Sequence, residues 1–263
     1  MNAIYDLLRL GDWGLSPWAW AAFGLTAFLV GFSKMGLPGV TILAVPLMAA
    51  IFPAKLSVGL LLPMLMMGDV ISVLAYRHFA RWRYCFPYLL FVGLGVGLAS
   101  LVAESVDGAA FRVLIGWIVL LLLLLTLVAD AMKSRGANEA PPAESPSLAA
   151  SAAFGCPAGF FSALANAAGP IIALYMLVSR LRKFEFIGTT AVCTFFMNWF
   201  KIPLFVSLGM IDARTLSLDA AALPLVVLGG IAGHLFAKKV PQRAFKNLVL
   251  LLALGAAVKL IAG

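Results

Sequence analysis

Charge is scarce in this 263-residue chain: Asp, Glu, Lys and Arg make up 11% of it, against 63% hydrophobic residues. That scarcity excludes an ordinary soluble domain, whose surface needs far more polar side chains. Histidine occurs twice and cysteine three times, as Cys85, Cys156 and Cys193. No CxxC or Cys/His ligand spacing occurs, so no metal site is expected and the cysteines read as small apolar residues. There is no HExxH, and Met66-Met67-Gly68-Asp69 lacks the first glycine of a GxGD motif. No serine can be paired with a membrane-embedded histidine. These gaps argue against a membrane-embedded protease or other enzyme, and no cofactor is expected. Arg9 is the single base ahead of the first apolar run, with Asp6 and Asp12 beside it, so no removable signal peptide is expected either.

What the chain has instead is long runs without charge and a mean hydropathy of +1.04. A hydrocarbon core about 30 Å thick asks a helix for about 20 apolar residues, and residues 15–33, 84–103, 113–129 and 220–237 meet or approach that. The expected fold is therefore all-α, a polytopic integral membrane protein whose first partner is the lipid bilayer. The net charge of +8 sits in short loops between apolar segments rather than on one soluble face, so it speaks for membrane topology and not for nucleic acid. Its oligomeric state is not legible.

One stretch in this apolar background is irregular. Gly31-Phe32-Ser33-Lys34-Met35-Gly36-Leu37-Pro38-Gly39 interrupts the first hydrophobic region, and an altered copy, Phe160-Phe161-Ser162-Ala163-Leu164-Ala165-Asn166-Ala167-Ala168-Gly169-Pro170, follows in the second half. Pro38, Pro46 and Pro53 allow residues 35–54 to be helical only in pieces. Residues 145–179 hold no charge over 35 positions, about 52 Å of continuous helix, which is too long for one span and short for two with a turn. A pair of short helices or a re-entrant hairpin, bent at Asn166 to Pro170, is expected.

The halves repeat each other. Ala21-Ala22-Phe23-Gly24 matches Ala152-Ala153-Phe154-Gly155; Gly59, Asp69 and Gly93 fall opposite Gly188, Asn198 and Gly229; Ala110-Phe111-Arg112 matches Ala244-Phe245-Lys246. The expected organisation is a first membrane repeat over 1–130, a polar, proline-rich linker over 131–147 and a second repeat over 148–263, each of about five helical segments. Bases gather after residue 76 (Arg77, Arg81, Arg83), after 129 (Lys133, Arg135), after 179 (Arg180, Arg182, Lys183) and after 237 (Lys238, Lys239, Arg243). If each segment reverses direction, all four clusters and Lys34 lie on one side, the cytoplasmic side, with both termini outside. Five segments per half would invert the second copy, giving two inverted-topology repeats, each opening with broken or re-entrant short helices.

In such repeats the interrupted helices meet near mid-bilayer, and their N-termini offer amide groups to an anion. Ser33, Lys34, Gly36, Pro38 and Gly39 form one candidate half-site, and Ser162, Asn166, Gly169 and Pro170 the other. The alternative is close packing around glycine and proline. Lys34 has two readings, a substrate cation or a side chain snorkelling to the surface. Asp69, in the middle of residues 56–76, is the single acid expected well inside a span, either a protonation switch or a structural partner for Lys34, Lys201 or Arg77. Asn198, its repeat mate, reads as a polar bridge, and Lys201 as polar core or as reaching the outer interface. Gly93 with Gly97, and Gly229 with Gly233, read as GxxxG packing pairs. His78 and His234 read as surface residues.

The run Gly31 to Gly39, the Pro46-Leu47-Met48 after it, Gly68-Asp69 and the basic turn near Trp82 together resemble the sulfite exporter family called TauE/SafE. The resemblance covers nearly the whole chain. It implies a multi-pass protein of a bacterial inner membrane with two homologous halves, and the passage, usually outward, of sulfite, sulfonates or related small anions. The glycine cluster common in that family's second half reads Asn166-Ala167-Ala168-Gly169-Pro170 here, a less open half-site. The residues themselves ask for a small anionic substrate; sulfur comes from the resemblance alone. Expected is alternating-access export, with proton coupling through Asp69 as an open possibility. The alternatives are another solute, such as an organic acid or a metal ion, and an embedded enzyme.

Overall fold

The structure is a computed structural model and describes residues 13–35, 40–134, 147–236 and 242–262. Among these, every regular element is helical. The first half holds α1 (Pro17–Met35), α2 (Thr41–Ala49), α3 (Ala54–Tyr76), α4 (Trp82–Ser105) and α5 (Gly108–Ser134). The second holds α6 (Leu148–Ala165), α7 (Gly169–Val178), α8 (Lys183–Ser207), α9 (Ala213–Phe236) and α10 (Gln242–Ala262). Six of these helices are long and apolar enough to cross a membrane, within 54–79, 82–105, 108–129, 148–165, 184–207 and 213–235.

Polar residues at the ends set the boundaries. Ser16 caps α1 through the Ala19 amide at 3.3 Å, Asp107 caps α5 through Ala110 at 2.7 Å, Ser147 caps α6 through Ala150 at 3.3 Å, and Asp212 caps α9 through Thr215 at 2.7 Å. Each side chain satisfies an amide that has no partner in its own helix. The Asp212 cap starts α9 earlier than residue 220, the expected start of that segment. This corrects the expectation of a single intramembrane acid: Asp219 lies inside α9, 1% exposed. Helix α5 also runs through 131–134, the first residues of the expected linker, while 135–146 lie outside the described residues.

The interrupted segments are short, as their prolines and glycines require. With 9 residues α2 rises about 14 Å, and with 10 residues α7 rises about 15 Å, half of a hydrocarbon core. The break between α6 and α7 is made by Asn166, left-handed at φ 50°, whose amide donates to the Ser162 carbonyl at 2.8 Å. Asparagine tolerates that conformation better than most residues, so it closes α6 where a glycine is more usual.

Packing crosses between the halves. The broadest interfaces are α4 on α6 and α1 on α9; α3 lies on α8, α5 on α10, α2 on α10 and α7 on α5. Exchanging the halves element for element maps this set of pairs onto itself. Gly59 meets Met210 and Gly188 meets Tyr76, so α3 and α8 run antiparallel. Gly155 meets Tyr88 and Gly159 meets Val92, so α6 runs parallel to α4; Gly24 meets Leu225 and Gly229 meets Phe28, so α1 runs parallel to α9.

Glycine permits these approaches, but one expected pair does not take part. A Cβ on Gly31 stands 1.9 Å from the Val226 carbonyl oxygen, one on Gly229 stands 2.0 Å from that of Phe28, and one on Gly95 stands 2.0 Å from that of Cys156. Gly93 and Gly97 have nothing within 4 Å and lie exposed. The spacing of Gly93 and Gly97 suggested a packing face, but the buried face of α4 is the neighbouring one, centred on Val92, Gly95, Val96 and Ala99.

Candidate functional site

The last turn of α1, the middle of α3 and the second half of α8 bring one polar cluster into the apolar interior. Lys34 reaches across from α1 and its ammonium pairs with a carboxylate oxygen of Asp69 on α3. Gly68 makes room for the stem, since a Cβ there would stand 2.7 Å from Lys34 Cγ. The Ser72 hydroxyl, one turn below, donates to the Lys34 carbonyl at 3.3 Å. From α8, the Thr194 hydroxyl donates to Asp69 Oδ1 at 3.0 Å and the Asn198 amide donates to Oδ2. Asp69 is fully buried, and three donors from two other helices hold its charge, which is the condition under which a buried carboxylate persists.

One turn beyond Asn198, Lys201 points the other way. It is fully buried, and its ammonium donates to Ser162 Oγ at 3.0 Å, to the Ser162 carbonyl at 3.4 Å and to the Asn166 side-chain oxygen. The Asn166 amide nitrogen in turn donates to the Val58 carbonyl at 2.6 Å, tying the α6–α7 break to α3. Phe205 lies under the ammonium, 5.7 Å from Nζ. Lys201 therefore does not reach the outer interface, one of the two readings given for it. Its one-turn offset from Asn198 carries it inward to the second break.

The structure thus joins most of the residues singled out above. Lys34, Asp69 and Asn198 form one group, and Lys201, Ser162 and Asn166 the other, both carried by α8. Ser33 is buried, and its Oγ accepts from the Thr41 amide at 3.4 Å, bridging the gap between α1 and α2. Gly169 and Pro170 open α7, the glycine exposed and the proline buried. Gly36, Pro38 and Gly39 lie outside the described residues. Lys34 does not snorkel; its side chain is 16% exposed and engaged by Asp69. Asp219 joins neither group, and its two carboxyl oxygens have no hydrogen-bond partner among the described residues. His78 and His234 are exposed.

Thr194 and Ser72 are the residues that sequence reasoning missed. A signal for Thr194 existed: Thr194, Asn198 and Lys201, at i, i+4 and i+7, line one face of an otherwise apolar helix.

A family model, Sulfite exporter TauE/SafE, matches residues 23–260. The chain belongs to the TauE/SafE family. That match spans both halves and both polar groups, and with the six membrane-length helices it makes the protein a multi-pass membrane transporter. No curated protein and no solved structure matches the chain.

Proposed function

We propose that this TauE/SafE protein exports a small anion, sulfite or an organosulfonate, by alternating access of two inverted repeats around the buried cluster. The observation that carries the reading is that half-buried Lys34 and fully buried Lys201 stand one beside each helix break, with the buried acid Asp69 paired to Lys34. Ionisable side chains at that depth are costly and mark transport pathways. The exchange symmetry of the helix pairs, with α3 and α8 antiparallel, supports the inverted repeat. The basic loops support a cytoplasmic position for the residue 77–83 turn, with both termini outside.

In this mechanism the anion enters between the α1–α2 and α6–α7 breaks, and the halves rock to pass it across. Asp69 and the anion compete for Lys34. A proton on Asp69 neutralises the carboxylate, releases Lys34 and couples anion binding to protonation.

Sulfite flux in proteoliposomes under an imposed pH gradient tests this, with wild type beside Lys34→Ala and Asp69→Asn. Wild-type flux should respond to the gradient, and both variants should lose at least about tenfold while folding normally. A folded Lys34→Ala protein with wild-type flux overturns the site. Dependence on Asp69 with indifference to Lys34 marks a cation carrier instead.

A further inference from the structure

The polar cluster is one negative charge short. Lys34 is matched by Asp69, whose oxygens are also taken by Thr194 and Asn198. Among the described residues Lys201 is matched by neutral oxygens: the Ser162 hydroxyl and carbonyl and the Asn166 side chain. Those contacts solvate an ammonium without compensating its charge. With both lysines protonated, two lysines against one aspartate give the cluster a net charge of +1 (+1 − 1 + 1). Asn198, which holds Asp69, and Lys201 stand one turn apart on α8, so the three charged groups belong to one site. Burial disfavours an ammonium without a counter-charge, and an anion brought to Lys201 would supply one.

We propose that Lys201 is the cation that meets the transported anion, and that the cargo carries one net negative charge per cycle. This rests on the anion-transport reading above and adds the residue and the charge. The Lys34–Asp69 pair then acts as an adjustable element. With Asp69 ionised the site accepts a singly charged anion; with Asp69 protonated it accepts a doubly charged one, and anion plus proton again sum to −1. Either way, with Lys201 holding its proton through the cycle, transport is electrogenic, and an inside-negative membrane drives the cargo outward by about 50-fold per 100 mV at equilibrium. Export needs no further energy source.

The side-chain geometry also restricts the cargo. Ser162 and Asn166, at the α6–α7 break, hold the Lys201 ammonium, and their hydrogen-bonding groups suit a compact oxyanion. A neutral isostere offers Lys201 no charge and should be rejected.

The test uses the full-length protein in proteoliposomes with a membrane potential set by potassium and valinomycin. The probes are sulfite, methanesulfonate and the uncharged dimethyl sulfone, and the variants are Lys201→Gln and Lys201→Arg. Anion efflux should rise with inside-negative potential and give a current of matching sign, and dimethyl sulfone should not move. Lys201→Gln should lower the current at least tenfold at unchanged helix content, and Lys201→Arg should retain much of it. A lysine that merely braces the α6–α7 break would lower the melting temperature and leave the current per folded protein unchanged, which overturns the inference. So does anion flux in wild type that ignores the potential, a result that does not depend on how the variants fold. If neither anion moves in wild type at any potential, the anion-transport reading itself falls and this inference with it.

Discussion

At the scale of single residues, the Lys34–Asp69 pair allows stability and transport to be tested apart. Lys34→Met strands a fully buried carboxylate with Thr194 and Asn198 alone, and breaking a buried pair from one side costs about 3–5 kcal/mol. Adding Asp69→Asn removes the stranded charge and should restore most of that loss in a denaturant or thermal melt, while anion flux stays abolished. Equal instability of the single and double variants would mean that the ion pair contributes little. Much of this site was legible in the sequence: a lysine beside a glycine-rich break and a lone acid in an apolar run are conspicuous because charge is rare. Their pairing was one of three partnerships open to Asp69. The choice of Lys34 over Lys201 and Arg77 came from Gly68, which clears the path of the Lys34 stem.

At the scale of helices, glycine position decides how closely two helices approach. On α4, a Cβ at Gly95 would overlap the Cys156 carbonyl oxygen at 2.0 Å, whereas Gly93 and Gly97 have open space. Gly95→Ala should therefore destabilise the α4–α6 interface by about 1–3 kcal/mol. Gly93→Ala and Gly97→Ala should be neutral or slightly stabilising, since alanine favours helix by up to about 1 kcal/mol. Thermal melts of the three variants in detergent check the order, and a Gly95→Ala protein as stable as wild type would contradict the close crossing. The sequence offered two glycines four apart as the packing pair because spacing was all it had. Which face of α4 is buried depends on where α6 lies, and that is long-range information. The early start of α9 is similar: Asp212 and Thr215 form a reciprocal cap of 2.7 and 2.9 Å, a local signal that the charge-free run starting at Ala220 overshadowed.

At the scale of the molecule, the two halves meet on the basic side through a small set of contacts. The Arg81 guanidinium pairs with Glu185, its backbone amide donates to Thr189 Oγ1 at 3.0 Å, and Phe79 stacks on Phe184 with ring centroids 5.1 Å apart. Arg81 is 57% exposed, so the ion pair alone contributes about 0–1 kcal/mol. That is enough to bias two conformations of similar energy. A cysteine at Thr189, fully buried beneath these contacts, should label slowly with a membrane-impermeant maleimide in a background lacking the three native cysteines. Arg81→Ala should speed that labelling several-fold. An unchanged rate would mean that this face does not open.

By itself the sequence determined the class of this protein, its helical segments, the places where helices break and the family to which it belongs. Those follow from local chemistry: charge-free length, proline and glycine, and caps built from residues three apart. Only the tertiary structure decided which charges meet. Thr194, Asn198 and Lys201 share one face of α8, yet the first two turn to Asp69 and the third to Ser162 and Asn166, because α3 lies to one side of that helix and the α6–α7 break to the other. In an interior where an unmatched charge is so costly, that arrangement leaves Lys34 paired with Asp69 and Lys201 held by the neutral oxygens of Ser162 and Asn166.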